Sequence, residues 1–206
     1  MKVVLITFVI AAGLFFPVKA YSQSPADQTQ AQRALRLEYN IIRIENSPQG
    51  RARRFTYHVV VPPGTTKSDM EQIALRVLER AKRENPFNAL AVGFYDHARL
   101  VGHGFRFGRV EFAPNGRWAD AATVRTGDYS LLRMVSHLRE PDWDNALTRR
   151  EATIFARHSR TLNSLLRRAN TQKDIEKAEK EAARRVMKRF NISQEELSSI
   201  FSRYHR

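Results

Sequence analysis

The chain has 206 residues and carries 35 Lys+Arg against 21 Asp+Glu, a formal net charge of +14 at pH 7. It contains no cysteine, which excludes disulfide bridges and a lipid-modified cysteine, so the fold must hold by packing alone. Its length suits one sizeable domain or two small ones.

The first segment predicts export. Lys2 is a short positive start, and Val3 to Phe16 is apolar except for Thr7 and Gly13. Pro17 ends any helix there, because it lacks an N–H and clashes with the preceding turn. Val18-Lys19-Ala20 places modest side chains where a signal peptidase reads them. The sequence thus predicts a signal peptide over residues 1–20, a mature chain from Tyr21, and a periplasmic or secreted product. The apolar run is shorter than the roughly 20 residues that span a bilayer comfortably; an uncleaved signal anchor is the alternative. Removing Lys2 and Lys19 leaves 33 basic against 21 acidic residues, or +12. No later segment has the composition of a transmembrane anchor.

Residues 21–35 are polar and Gln-rich and predict a flexible leader. An α+β domain is expected over residues 36–138. Leu37, Tyr39 and Ile41 alternate with polar neighbours, and Ile42 and Ile44 continue the run on the opposite face, which predicts a strand. Ser47-Pro48-Gln49-Gly50 marks a turn. Phe55, Tyr57, Val59 and Val61 alternate with Arg54, Thr56, His58 and Val60 in the clearest strand of the chain. It is expected to form a hairpin with the first.

Pro62-Pro63-Gly64 stops that strand. Ser68 with Glu71 has the spacing of a capping box, two side chains satisfying orphan N–H groups at a helix start. Met70, Ile73, Ala74, Val77, Leu78 and Ala81 then recur at helical spacing, which predicts one helix packed across a sheet. Ala89 to Tyr95 is almost continuously apolar and predicts a central strand. Asp96 to Gly108 is a Gly-rich connection, Arg109 to Ala113 a fourth strand, and Pro114-Asn115-Gly116 a tight turn. Trp118 is expected to cover the core. Tyr129 to Leu138 fits either a fifth strand or a short helix. The expected sheet is antiparallel, with four to five strands.

After Pro141 the period becomes helical, and residues 145–206 predict a basic tail of three helices. Thr148 with Glu151, Thr171 with Asp174 and Ser193 with Glu196 mark the three starts. The inward stripes are Phe155, His158, Leu162, Leu165, Leu166 and Ala169; then Ile175, Ala178, Ala182, Val186 and Phe190; then Leu197, Ile200, Phe201 and Tyr204. From Arg149 to Arg189 there are thirteen Lys+Arg and five Asp+Glu, so most of the mature excess charge sits here.

Two stretches, Asn85-Pro86-Phe87-Asn88-Ala89-Leu90-Ala91-Val92-Gly93-Phe94-Tyr95-Asp96 and Val110-Glu111-Phe112-Ala113-Pro114-Asn115-Gly116-Arg117-Trp118-Ala119-Asp120-Ala121, resemble the core of a family of small bacterial exported proteins known as domain of unknown function 4875. The strand from Tyr57 to Pro62 with its following helix fits the same pattern. The closing stretch, Leu147 to Glu151 through Ile192 to Leu197, resembles the helical tail often found behind that domain. Members resembling this are often lipoproteins or phage-related proteins. The absence of cysteine departs from the lipoprotein form and implies a free rather than anchored product. The resemblance implies no activity and no functional residue.

Four function classes follow from the residues. The first is a non-enzymatic ligand- or protein-binding module of the cell envelope, working through the second sheet face with Arg54, Thr56, His58, Arg109 and Glu111. The second is a metal-dependent hydrolase using Asp96, His97 and His103, with His58 and Glu111 near, although no known ligand spacing is matched. No Gly-x-Ser-x-Gly motif is present, and neither a catalytic residue nor a cofactor is expected. The third is nucleic-acid or other anion binding by the tail, with Arg157, Arg160, Arg167, Arg168, Arg184, Arg185, Lys188 and Arg189 as contacts. Val186 to Ile200 has a helix-turn-helix-like order, but its reading helix opens with Glu195-Glu196, where donors are needed. The fourth, membrane-surface association through the same arginines, meets a second tail helix whose apolar side is mainly Ala, which suits packing on protein. Partner and ligand remain unnamed by the sequence.

Overall fold

The computed structural model describes residues 37–205; the expected signal peptide and leader lie outside them. The described residues belong to one compact unit. Five strands, β1 (Asn40–Asn46), β2 (Arg54–Val60), β3 (Ala89–Tyr95), β4 (Gly108–Pro114) and β5 (Leu132–Leu138), make one sheet in the order β1-β2-β3-β4-β5. Helix α1 (Lys67–Glu84) joins β2 to β3, and α2 (Arg149–Leu166), α3 (Gln172–Phe190) and α4 (Gln194–His205) follow the sheet. The fold is α+β with a C-terminal helical tail, and the ambiguous segment after Tyr129 becomes a strand. No helix among the described residues is long and apolar enough to cross a membrane.

The sheet is mixed rather than wholly antiparallel. β1–β2, β3–β4 and β4–β5 are antiparallel, but β2 and β3 pair in parallel, Tyr57 opposite Val92. A parallel pair needs a crossover longer than a hairpin turn, and α1 supplies it. The unbroken apolar run of β3, buried at all seven positions, is what a strand covered on both faces requires.

The N-cap of α1 is Thr66, two residues before the expected Ser68. Thr66 Oγ1 accepts from the Asp69 amide at 3.1 Å, and Asp69 Oδ2 accepts from the Thr66 amide at 3.0 Å. The other three expected boxes form, at Thr148–Glu151, Thr171–Asp174 and Ser193–Glu196. Met70, Ile73, Ala74, Val77, Leu78 and Ala81 of α1 are buried on Phe55, Tyr57 and Val59 of β2, Leu90, Val92 and Phe94 of β3, and Val110 and Phe112 of β4. Burial of each larger aliphatic contributes roughly 2 kcal/mol.

β1 breaks the simple alternation. Its register shifts between Ile41 and Arg43, so Ile41 lies opposite Val59 and Ile44 opposite Tyr57, on the same face. The expected placement of Ile44 on the other face is therefore overturned by one inserted residue, which reverses the period-2 count.

The tail builds a second core. Ile154 and Phe155 of α2, Val186 of α3, and Leu197, Ile200 and Tyr204 of α4 pack with Tyr95 and Leu100. Trp118 lies against a small alanine cluster, Ala52, Ala89, Ala113 and Ala121, rather than the main core.

Candidate functional site

The pleat puts Arg54, Thr56 and His58 of β2 and Arg109 and Glu111 of β4 on one face, as expected. The register aligns Thr56 with Ala91 and Glu111, and His58 with Gly93 and Arg109. That face is not open. Arg54 and His58 are only 7% and 3% exposed, and Glu111 is 9% exposed; Arg109 alone of the five is well exposed.

Over His58 and Gly93 the cover comes from the Gly-rich connection, and the tail helices pack on Tyr95 of the same face. Residues 96–107 fold back over the sheet, and the Phe105 ring occupies the space a side chain on Gly93 would need. Phe105 stacks on His58 at 6.1 Å between centroids, and the Arg109 guanidinium lies 5.4 Å above the same ring. At the other end Trp118, on a 3₁₀ helix over Trp118–Thr123, lies 5.8 Å from the Arg54 guanidinium, which also donates to Gln49. Arg109 and Glu111 pair with each other at 2.5 Å.

Beneath the connection runs a polar chain. Glu45 Oε2 is 3.2 Å from His58 Nε2, and His58 Nδ1 is 2.9 Å from the Tyr95 hydroxyl. Burial lowers the His58 pKa, against the opposing pull of Glu45. Burial pushes the Tyr95 phenol up, opposite to what a phenolate nucleophile needs. The chain fastens β1, β2 and β3 together.

The loop acids and histidines are engaged separately. Asp96 and Arg106, with side chains 3% and 2% exposed, face each other at 3.7 Å. Arg106 Nη1 donates to the Tyr204 carbonyl at 2.8 Å, and the Tyr204 hydroxyl donates to the His103 carbonyl at 2.7 Å. Burial raises the Asp96 pKa despite Arg106. His97 Nε2 meets the Leu147 carbonyl at 2.7 Å. Among the described residues no three His, Asp or Glu side chains converge as a metal site requires. Arg106 carried no signal in the sequence, because its partners lie up to 98 residues away.

The tail gathers charge instead. Arg157, Arg160, Thr161, Ser164 and Leu165 of α2 and Arg185 of α3 line a notch of about 240 Å³. No carboxylate among the described residues lines it. Arg160 Nε donates to the Ala156 carbonyl at 3.2 Å and Thr161 Oγ1 to the Arg157 carbonyl at 2.9 Å, which pins both side chains to α2. Arg185 pairs with Glu181 at 2.6 Å; Arg157 has no ion pair among the described residues.

Leu165 and Arg185 continue into a larger groove of about 780 Å³, with Ala169 and Ala178 on its apolar floor and Arg168 and Arg184 at its rim. Of the eight expected anion contacts, the notch and groove together bring in Arg157, Arg160, Arg168, Arg184 and Arg185. Arg167, Lys188 and Arg189 line neither. Arg157 and Arg160 were expected contacts, whereas Thr161 and Ser164 carried no signal in the sequence.

No family model, no curated protein and no solved structure matches this chain.

Proposed function

We propose that this chain is an exported binding module of the cell envelope whose recognition surface is the basic α2–α3 hairpin, taking a phosphoryl or sulfuryl group in the notch. The observation that carries this is the set of three guanidinium groups with two hydroxyls and no lining carboxylate. A guanidinium presents planar paired donors that match a tetrahedral oxyanion, and such charge-assisted bonds are about twice as strong as neutral ones. Ser164 adds a hydroxyl donor beside them, while the Thr161 hydroxyl is spent on the Arg157 carbonyl. The covered sheet face argues against the binding surface expected on β2 and β4. The family resemblance brings no activity, so this function rests on the notch alone.

Titration of the mature protein with inorganic pyrophosphate tests it. Binding should weaken as salt rises from about 50 to about 200 mM, since displaced counterions oppose it. Arg157→Ser with Arg160→Ser should weaken it at least about tenfold, while Arg167→Ser, outside the notch, should leave it unchanged. Equal binding by all three proteins would refute the site. Export belongs to the same proposal; N-terminal sequencing of the product should begin at Tyr21, and an intact Met1 in the exported fraction would refute cleavage.

A further inference from the structure

The three tail helices also border a second, open and mainly apolar groove of about 660 Å³. Its walls are Leu162 of α2, Ala183 and Met187 of α3, and Leu197 and Phe201 of α4. That volume and that lining, between helices of a small bundle, are those of a small-molecule pocket.

One buried polar side chain in the wall lacks a partner. His158 is 8% exposed and packs edge-on against Phe201, ring centroids 4.7 Å apart. Its Nδ1 is sealed from solvent with no hydrogen bond. A buried N–H without an acceptor is rarer than a bare acceptor, so the proton belongs on Nε2. That nitrogen has no hydrogen bond among the described residues, and it is the donor left for the groove. Burial lowers the His158 pKa although Glu179 opposes it, which keeps the ring neutral near pH 7. Lys180 and Glu179, neighbours at the rim, cancel each other's charge.

We infer that this groove binds a neutral amphiphile whose apolar body lies on Leu162, Ala183, Met187, Leu197 and Phe201 and whose single carbonyl accepts from His158 Nε2–H. The site is independent of the arginine notch. An uncharged apolar body suits walls whose one acid and one base balance, and a carbonyl matches the donor that His158 leaves free.

The test uses 6-propionyl-2-dimethylaminonaphthalene, a neutral fluorophore whose single carbonyl reports hydrogen bonding through its emission colour. The mature protein should bind it saturably at one site, with no loss between about 50 and about 500 mM salt, because no charge is engaged. Ala183→Phe, which fills the groove, should weaken binding at least about tenfold. Ser198→Phe, on the exposed rim of the same groove, should do the same if the first variant folds poorly. His158→Phe keeps the ring shape but removes the donor; it should weaken binding about three- to tenfold and shift the bound emission to the blue. Arg157→Ser with Arg160→Ser should bind the probe as the parent does, which separates this site from the anion site. Absence of saturable binding, or unchanged affinity in both filled-groove variants, would overturn the proposal. So would a His158→Phe variant with unchanged affinity and colour. A dimer that dissociates in Ala183→Phe, with no probe bound, would make the groove an interface between copies and equally overturn it.

Discussion

Gly93→Ala tests how the connection closes over the sheet. A Cβ on Gly93 would fall on Cδ1 and Cε1 of Phe105, closer than the 3.0 Å that real Cβ atoms keep. Gly93 is a central strand residue paired with His58 on one side and Arg109 on the other, so the backbone has little freedom to retreat. The ring must leave, and its contacts with His58, Tyr95 and Arg109 go with it. Overpacking of this kind costs about 1–3 kcal/mol, offset by roughly 0.5–1 kcal/mol from the reduced freedom of the unfolded chain. The net loss is about 1–2 kcal/mol, which for a domain of this size lowers Tm by about 2–8 °C. Phe105→Ala alone should cost about 2–3 kcal/mol, less than a fully buried phenylalanine because the ring is half-buried. The double variant, measured by urea unfolding, should be no less stable than Phe105→Ala, giving a coupling of about 1–2 kcal/mol. Strict additivity would refute the claim that the Phe105 ring occupies the Gly93 site.

Thr66→Ala should cost about 1 kcal/mol by loss of the α1 cap, whereas Ser68→Ala should cost almost nothing; the reverse order in urea unfolding would restore the later helix start. Arg106→Met should cost about 3–5 kcal/mol, because it strands the buried Asp96 carboxylate, while Arg106→Met with Asp96→Asn should recover most of that; equal losses would show that the pair is not coupled. His58, His103 and His158 all have pKa values lowered chiefly by burial, so the unfolded chain binds protons more readily than the folded one. Their contribution is present above the unfolded value near 6.5 and is lost as pH falls through and below it, by at most about 1.4 kcal/mol per pH unit for each ring. Urea midpoints that stay flat or rise between pH 7.5 and 5.5 would contradict this.

What the sequence made legible was local. The α1 stripe, the limits of β3 and three of the four helix caps depend on spacings of two to four residues, and each forms where the pattern puts it. The parallel pairing of β2 with β3 was foreshadowed by the continuous apolar run of β3, yet alternation in β2 looked equally suited to an antiparallel neighbour. The bulge in β1 was hidden, because one inserted residue leaves composition unchanged while reversing the face of Ile44. Alternation placed Arg54, Thr56, His58, Arg109 and Glu111 on one face correctly. Whether that face meets water depends on where Phe105 and Trp118 land, and no periodicity encodes a loop's return path.

The tail shows the same division between pattern and placement. The arginines of α2 and α3 read as a charge run, and a charge run is ordinarily a solvated face. Two features turn part of it into a notch. α3 buries only Ala178, Ala182 and Val186, and small residues at a helix contact permit a short interaxial distance. α2 presents Arg157, Arg160 and Ser164 one turn apart on the side where Arg185 arrives. Among the described residues the only carboxylate bonded to the set is Glu181, and it is shared between Arg184 and Arg185. Glu181 is held down to about 2 by those two arginines, so it stays ionised at any physiological pH and cannot switch the site off. Arg157 and Arg160 have no ion pair among the described residues, so an anion in the notch would offset charge that no group lining it offsets. An oxyanion should therefore raise the Tm of the parent protein and leave that of Arg157→Ser with Arg160→Ser unmoved.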